Sequence, residues 1–178
     1  MQKEQIFVFG RGSVAPAVLE HSRQHTLITA GAQKHNHMAN FICVNDAAQL
    51  DRLMSLPEKK ALILAPSRVY AKYAFFKGVE CLPYFEDLVS YKWDPHVVSD
   101  QLCSVALAAW MGANVIVMSG YETQEKKERD NIKALITLYS SIEFISVSKD
   151  TAKLHDIKLS NFVAMDQPQY KQRMRSHA

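Results

Sequence analysis

At 178 residues, with 48% hydrophobic and 22% charged side chains, the chain has the make-up of one globular domain, long enough to bury roughly 70% of its unfolded surface. A formal net charge of +3, with no long basic patch, argues against a nucleic-acid partner. No stretch approaches the ~20 apolar residues needed to span a bilayer, and the polar opening MQKEQ is not a signal peptide, so a cytoplasmic protein with no membrane partner is expected.

In chain order, short apolar runs alternate with helical segments. IFVF (6–9) runs into the turn Gly10-Arg11-Gly12-Ser13, and TLITA (26–30), FICV (41–44) and ALILA (61–65) follow. Helical segments are expected at 47–55 and 67–77. VECLPYF (79–85) is a weaker run whose Pro83 marks an edge strand or a loop. The clearest helix is SDQLCSVALAAWMG, which Ser99 or Asp100 can cap and Gly112 can end. VIVMS (115–119) comes next, and then a helix from about Gln124 to Ser141 with Ile132, Leu135, Ile136 and Tyr139 on one face. FISV (144–147) is the last run. Apolar runs that are continuous rather than alternating belong to a parallel sheet covered on both faces. The expected fold is therefore α/β, a single three-layer Rossmann-like domain over residues 1–170, with a mostly parallel sheet of about six strands. The terminus YKQRMRSHA is expected to be a basic flexible tail over 171–178.

In such a sheet, ligands bind beyond the carboxyl ends of the strands, so the residues that follow each run matter most. These are Gly10-Arg11-Gly12-Ser13, Gly31, Asn45-Asp46, Pro66-Ser67-Arg68 and Ser119-Gly120-Tyr121-Glu122. The first turn is not a dinucleotide fingerprint. Ala15 stands where the third glycine belongs, and LITAGAQ offers no acid ~20 residues on. The absence of Gly-Lys-Ser/Thr excludes a P-loop. What remains is a short Gly-x-Gly-Ser turn whose N–H groups and Ser13 hydroxyl could face a phosphate or ribose. Asp46 has two readings, an N-cap for the next helix or a carboxylate for a ribose or divalent metal; Glu122 has the same two. His35-Asn36-His37 lies in a loop without a third ligand, so a solvated loop or substrate contact outweighs zinc. His96 precedes a helix start at the same edge and is the better proton-transfer candidate, with a surface histidine as the alternative. Cys43, Cys81 and Cys103 are far apart, and their odd number argues against a disulfide framework.

The order of strand, Gly-x-Gly-Ser turn, "MANFICVND" and "SVALAAWMGANVIVMSGYE" resembles the sialyltransferase-like group over roughly residues 6–122. That group includes single-domain bacterial sialyltransferases, motility accessory factors and archaeal pterin pyrophosphokinase-like proteins. The resemblance implies that Gly10, Gly12 and Ser13 contact a nucleotide, with Asn45, Asp46, Ser104, Gly120 and Glu122 on the same edge. This chain departs from the pattern at Arg11, where Asn is common, at Ser13-Val14, where Pro-Ser is usual, and at Glu122, where Asp is usual. The lid and catalytic histidine of the sialyltransferases have no clear counterpart, since downstream only His155 and His177 remain.

The function expected is a nucleotide- or nucleotide-sugar-dependent transferase, glycosyltransferase-like, with Asp46 or Glu122 positioning a ribose or Mg²⁺. Arg11 or Arg68 would offset phosphate charge, Ser67 would stand beside Arg68, and His96 or His35 would supply a base. No resident metal is assigned, Mg²⁺ arriving only with a nucleotide. The alternative is a non-catalytic nucleotide-binding or protein-interaction module, with RVYAKYAFFKGVECLPYFEDL as a partner surface or a homo-oligomer contact.

Overall fold

A computed structural model of the chain describes residues 4–55, 61–66, 79–81, 99–121, 126–149 and 157–176. The strands are β1 (Gln5–Phe9), β2 (Thr26–Ala30), β3 (Phe41–Cys43), β4 (Leu62–Ala65), β5 (Val79–Cys81), β6 (Val115–Ser119), β7 (Glu143–Ser148) and β8 (Phe162–Asp166). The helices among the described residues are α1 (Pro16–His21), α2 (Ala47–Met54), α3 (Asp100–Trp110), α4 (Lys126–Leu138) and α5 (Gln167–Arg175). All strands join one sheet in the order β5-β4-β3-β2-β1-β6-β7-β8, and every pairing is parallel. The fold is Rossmann-like α/β, as the continuous apolar runs imply.

The central strands are apolar on both faces because each face has its own helical layer. Ile6, Val8, Ile28, Ile116, Met118 and Phe144 pack with α3 and α4 in one core. Their neighbours Phe7, Phe9, Leu27, Val117, Ile145 and Val147 pack with α1, α2 and α5 in the other. Alternation still exists, but here it sorts side chains between two cores rather than between core and water. Helix α3 lies deepest, with every residue from Asp100 to Ala109 buried. Its Cys103, Ser104, Ala106, Ala108 and Ala109 are small enough for it to lie against β1, β2, β3 and β6. It ends in a Schellman motif at Gly112 (φ +85°), with Ala113 N–H donating to Ala108 O at 3.4 Å and Gly112 N–H to Ala109 O at 3.1 Å.

The sheet has eight strands, close to the expected number of about six. The additions are the short edge strands β5 and β8, and an edge strand needs no unbroken apolar run because one side meets solvent. The basic terminus does not begin as a tail at residue 171, because helix α5 continues to Arg175. Asp166 and Gln169 form a reciprocal capping box at its start, at 2.9 and 3.0 Å. Tyr170 is buried, and Arg173 pairs with Glu143 at 2.6 Å. The helix segment expected at 67–77 and residues 82–85 of the weak run lie outside the described residues. Among the described residues, no helix is long and apolar enough to cross a membrane.

Candidate functional site

The chain leaves β1 in one direction, through β2, β3, β4 and β5, and then returns to lay β6 on the other side of β1. The strand order reverses between β1 and β6, and in open α/β sheets ligands bind beyond the carboxyl ends of the strands at such a reversal. Phe9 is in register with Ser119 there, so the turn Gly10-Arg11-Gly12-Ser13 faces Ser119-Gly120-Tyr121 directly.

The two loops are stitched together. Gly10 N–H donates to Ser119 O and Gly12 N–H to Gly120 O, both at 2.8 Å. Arg11 N–H donates to Gln101 Oε1 at 3.2 Å, and Ala15 N–H donates to Ser119 Oγ at 3.0 Å. Ser119 in turn donates to Val147 O at 2.9 Å. Gly10 has no room for a Cβ, which would run into the Gly120 carbonyl and the Gln101 side chain. Gly120 holds φ +78°, and a Cβ on it would lie 3.0 Å from Gly12 O. Glycine is required at both positions by close approach, and at Gly120 also by handedness. In consequence the amides of residues 10, 11 and 12 already have acceptors inside the protein. Ser13 at the tip of the turn and the Arg11 side chain are the exposed parts of the turn.

Arg11 reaches from the turn to the first residue of α3. Its Nε donates to Asp100 Oδ2 at 3.0 Å, and its Nη2 lies 2.5 Å from both carboxylate oxygens. Asp100 is almost sealed, whereas the Arg11 side chain is half exposed. Burial pushes the Asp100 carboxyl above its ordinary range, and the Arg11 guanidinium pulls the other way. Gly31, after β2 with φ +66°, sits against Asp100 and Gln49 where any side chain would collide. Around it, Gln33 Nε2 donates to Phe9 O and Ala30 O at 3.0 and 3.2 Å. Gln49 Oε1 accepts from Ala32 N–H at 3.1 Å. These glutamines close the carboxyl ends of β1 and β2.

A second network lies beneath the turn. Gln101 Nε2 donates to Glu128 Oε1 at 3.1 Å, and Ser99 Oγ donates to the same oxygen. Ser104 Oγ meets Tyr121 Oη at 2.7 Å and donates to Gln101 O at 2.8 Å. Burial drives the Tyr121 hydroxyl well above its ordinary range, so it stays protonated and can donate to Ser104 Oγ or to Gln101 O, 3.2 Å away.

The sequence candidates are thus distributed unevenly. Gly10, Arg11, Gly12, Ser13 and Gly120 converge at the switch point. Ser104 is fully buried, in the network of Gln101 and Tyr121 beneath the turn. Asp46 caps α2, its Oδ1 accepting from Ala48 N–H at 2.9 Å, and Asn45 adjoins it after β3. His35 packs edge-on against Phe9 at 5.7 Å, and its pKa is lowered by burial and then by Lys34 and His37. Ser67, Arg68, His96 and Glu122 lie outside the described residues, as do His155 and His177. For Mg²⁺, Asp46 is occupied as a cap and Asp100 by Arg11. Among the described residues, no three His, Cys, Asp or Glu side chains converge.

Sequence reasoning missed the roles of Gln33, Gln49 and Gln101; of its two cap candidates, Ser99 is the cap, accepting from Leu102 N–H at 3.1 Å, while Asp100 holds Arg11. A usable signal did exist. A helix that precedes a parallel strand starts at the carboxyl edge of the sheet, so residues at the start of α3 had to face the first turn.

No protein-family model and no curated protein matches the sequence. Among solved structures, the sialyltransferase CstII from Campylobacter jejuni, in complex with the substrate analogue cytidine-5'-monophosphate, is similar at a TM-score of 0.53. The match covers 90% of this chain and 84% of that one at 16% identity. The likeness is one of fold.

Proposed function

We propose that the protein is a nucleotide- or nucleotide-sugar-dependent transferase of the glycosyltransferase-like type, which takes its ligand at the carboxyl edge between β1 and β6. The observation that carries this reading is the switch point itself, where two glycine-dependent loops meet beside an arginine held by a buried acid. Asp100 engages Nε and Nη2 of Arg11, which aims the guanidinium and leaves Nη1 for a phosphate oxygen. The exposed Ser13 hydroxyl is a second donor for a phosphate or ribose. A departing phosphate would be met by a cation already oriented, without reorganisation. The fold shared with a sialyltransferase solved with a cytidine nucleotide supports the ligand class.

A second reading is favoured by a specific observation. The amides of residues 10–12 are bonded within the protein and the Arg11 charge is matched by Asp100, which leaves fewer donors than a phosphate cradle offers. A non-catalytic nucleotide-binding module would look like this. One experiment separates the two. Thermal shifts are recorded with mono-, di- and triphosphates of all four bases and with their sugar conjugates, each with and without Mg²⁺. A ligand at 100 times its Kd stabilises by about 2.7 kcal/mol. Selective stabilisation followed by release of the nucleotide from its sugar conjugate is the result expected of a transferase. Stabilisation without release indicates the module, and silence across the panel rejects both.

A further inference from the structure

A cleft lined by none of the switch-point residues lies elsewhere in the structure. It opens between α1 and α5, which both run from the carboxyl edge of the sheet back towards its amino edge. Ala17 N–H donates to Gln167 Oε1 at 3.1 Å near the start of both helices. His21 Nδ1 meets Tyr170 Oη at 2.9 Å further down. Around that bond the helices flank an open surface cleft of about 480 Å³.

The walls of this cavity differ in character. Lys171 and Arg175 are one helical turn apart on α5, so both project from the same face. Neither makes an ion pair or hydrogen bond among the described residues, in contrast to Arg173 on another face, which pairs with Glu143. Across from them stand His21 and Gln24, and the acid Glu20 also lines the cleft. Ala17, Met174 and the buried Tyr170 ring give the remainder an apolar surface. Burial keeps the Tyr170 hydroxyl protonated; when it donates to His21 Nδ1, the neutral ring carries its own proton on Nε2 as a further donor.

We infer that this cleft binds a small organic phosphate monoester. Its dianionic head would be held by Arg175, Lys171 and His21, and its apolar body would lie over Met174 and Tyr170. The guanidinium suits two oxygens of one phosphate, and the ammonium adds a point charge. The apolar wall distinguishes an organic ester from the bare ion. This site stands apart from the crevice at Gly10 and Gly120, and does not depend on the function proposed for it.

Phenyl phosphate is the probe, compared with inorganic phosphate and with phenol in 15N-resolved NMR titrations of the full chain. The inference predicts that phenyl phosphate shifts the amides of His21, Gln24, Lys171 and Arg175, and binds at least tenfold tighter than either fragment. The double variant Lys171→Gln/Arg175→Gln alters two exposed side chains and should bind it at least tenfold more weakly, while keeping the thermal response to nucleotides of the unaltered protein. Equal affinity for phenyl phosphate and inorganic phosphate would overturn the inference. So would an affinity unchanged in the double variant, or shifts confined to residues 10–13 and 120.

Discussion

Within the Arg11–Asp100 pair the carboxylate side chain is only 2% exposed, whereas the guanidinium side chain is 51% exposed. Removing either partner therefore leaves a different residue behind. Arg11→Met strands a buried charge, which costs 3–5 kcal/mol when the pair is fully enclosed; with Arg11 half in water, about 2–3 kcal/mol is expected. Asp100→Asn leaves a guanidinium that solvent can hydrate, at a cost of about 1 kcal/mol or less. Denaturant unfolding of both variants at pH 7.5 checks this asymmetry, and equal losses would contradict it. The pH dependence has a definite sign. The folded-state pKa of Asp100 is raised above its ordinary value, so above that value the folded chain binds more of this proton than the unfolded chain. Its carboxyl therefore costs stability as pH rises through the folded pKa. The penalty in Arg11→Met should accordingly shrink as pH is lowered toward that range, where Asp100 becomes neutral.

Among the elements, α5 shows what can be read from a sequence and what is easily misread. Asp166-Gln-Pro-Gln169 carries the spacing of a capping box with a proline in the first turn, which marks a helix start. Basic composition and terminal position suggest a tail instead, but Tyr170 anchors the helix in the core. Asp166→Ala should cost about 1 kcal/mol and lower the helical circular dichroism, whereas no change in either would mean that residues 167–175 add nothing to the fold. The strand runs at 6–9, 26–30, 61–65 and 115–119 were legible because both faces of each are buried, so hydrophobicity is unbroken. β8 was not, since its Val163 is exposed at the sheet edge. Likewise Gly10 and Gly120 could be placed at the edge from the strands they follow. The Arg11–Asp100 contact could not, because it joins residues 89 positions apart and depends on the start of α3 falling beside the first turn.

Taken as a whole, the molecule has two helical layers, and histidines are set into one of them. Burial lowers the pKa of both His21 and His35 below 6.5. Just below 6.5 the unfolded chain thus binds more protons at these positions, so stability falls as the medium is acidified through that window. A thermal midpoint lower at pH 5.5 than at pH 7.5, with the difference reduced in His21→Gln/His35→Gln, is the expected result; a difference unchanged in that variant would assign the effect to other groups. The proposed ligand site rests on the same architecture, because among the described strands the order turns back between β1 and β6. The most direct measurement is a 15N-resolved NMR titration with the nucleotide that stabilises the protein most. The account predicts amide shifts at Arg11, Ser13, Gly31, Gly120 and Tyr121, with little change along α5. Saturable binding that leaves those residues unmoved would contradict it.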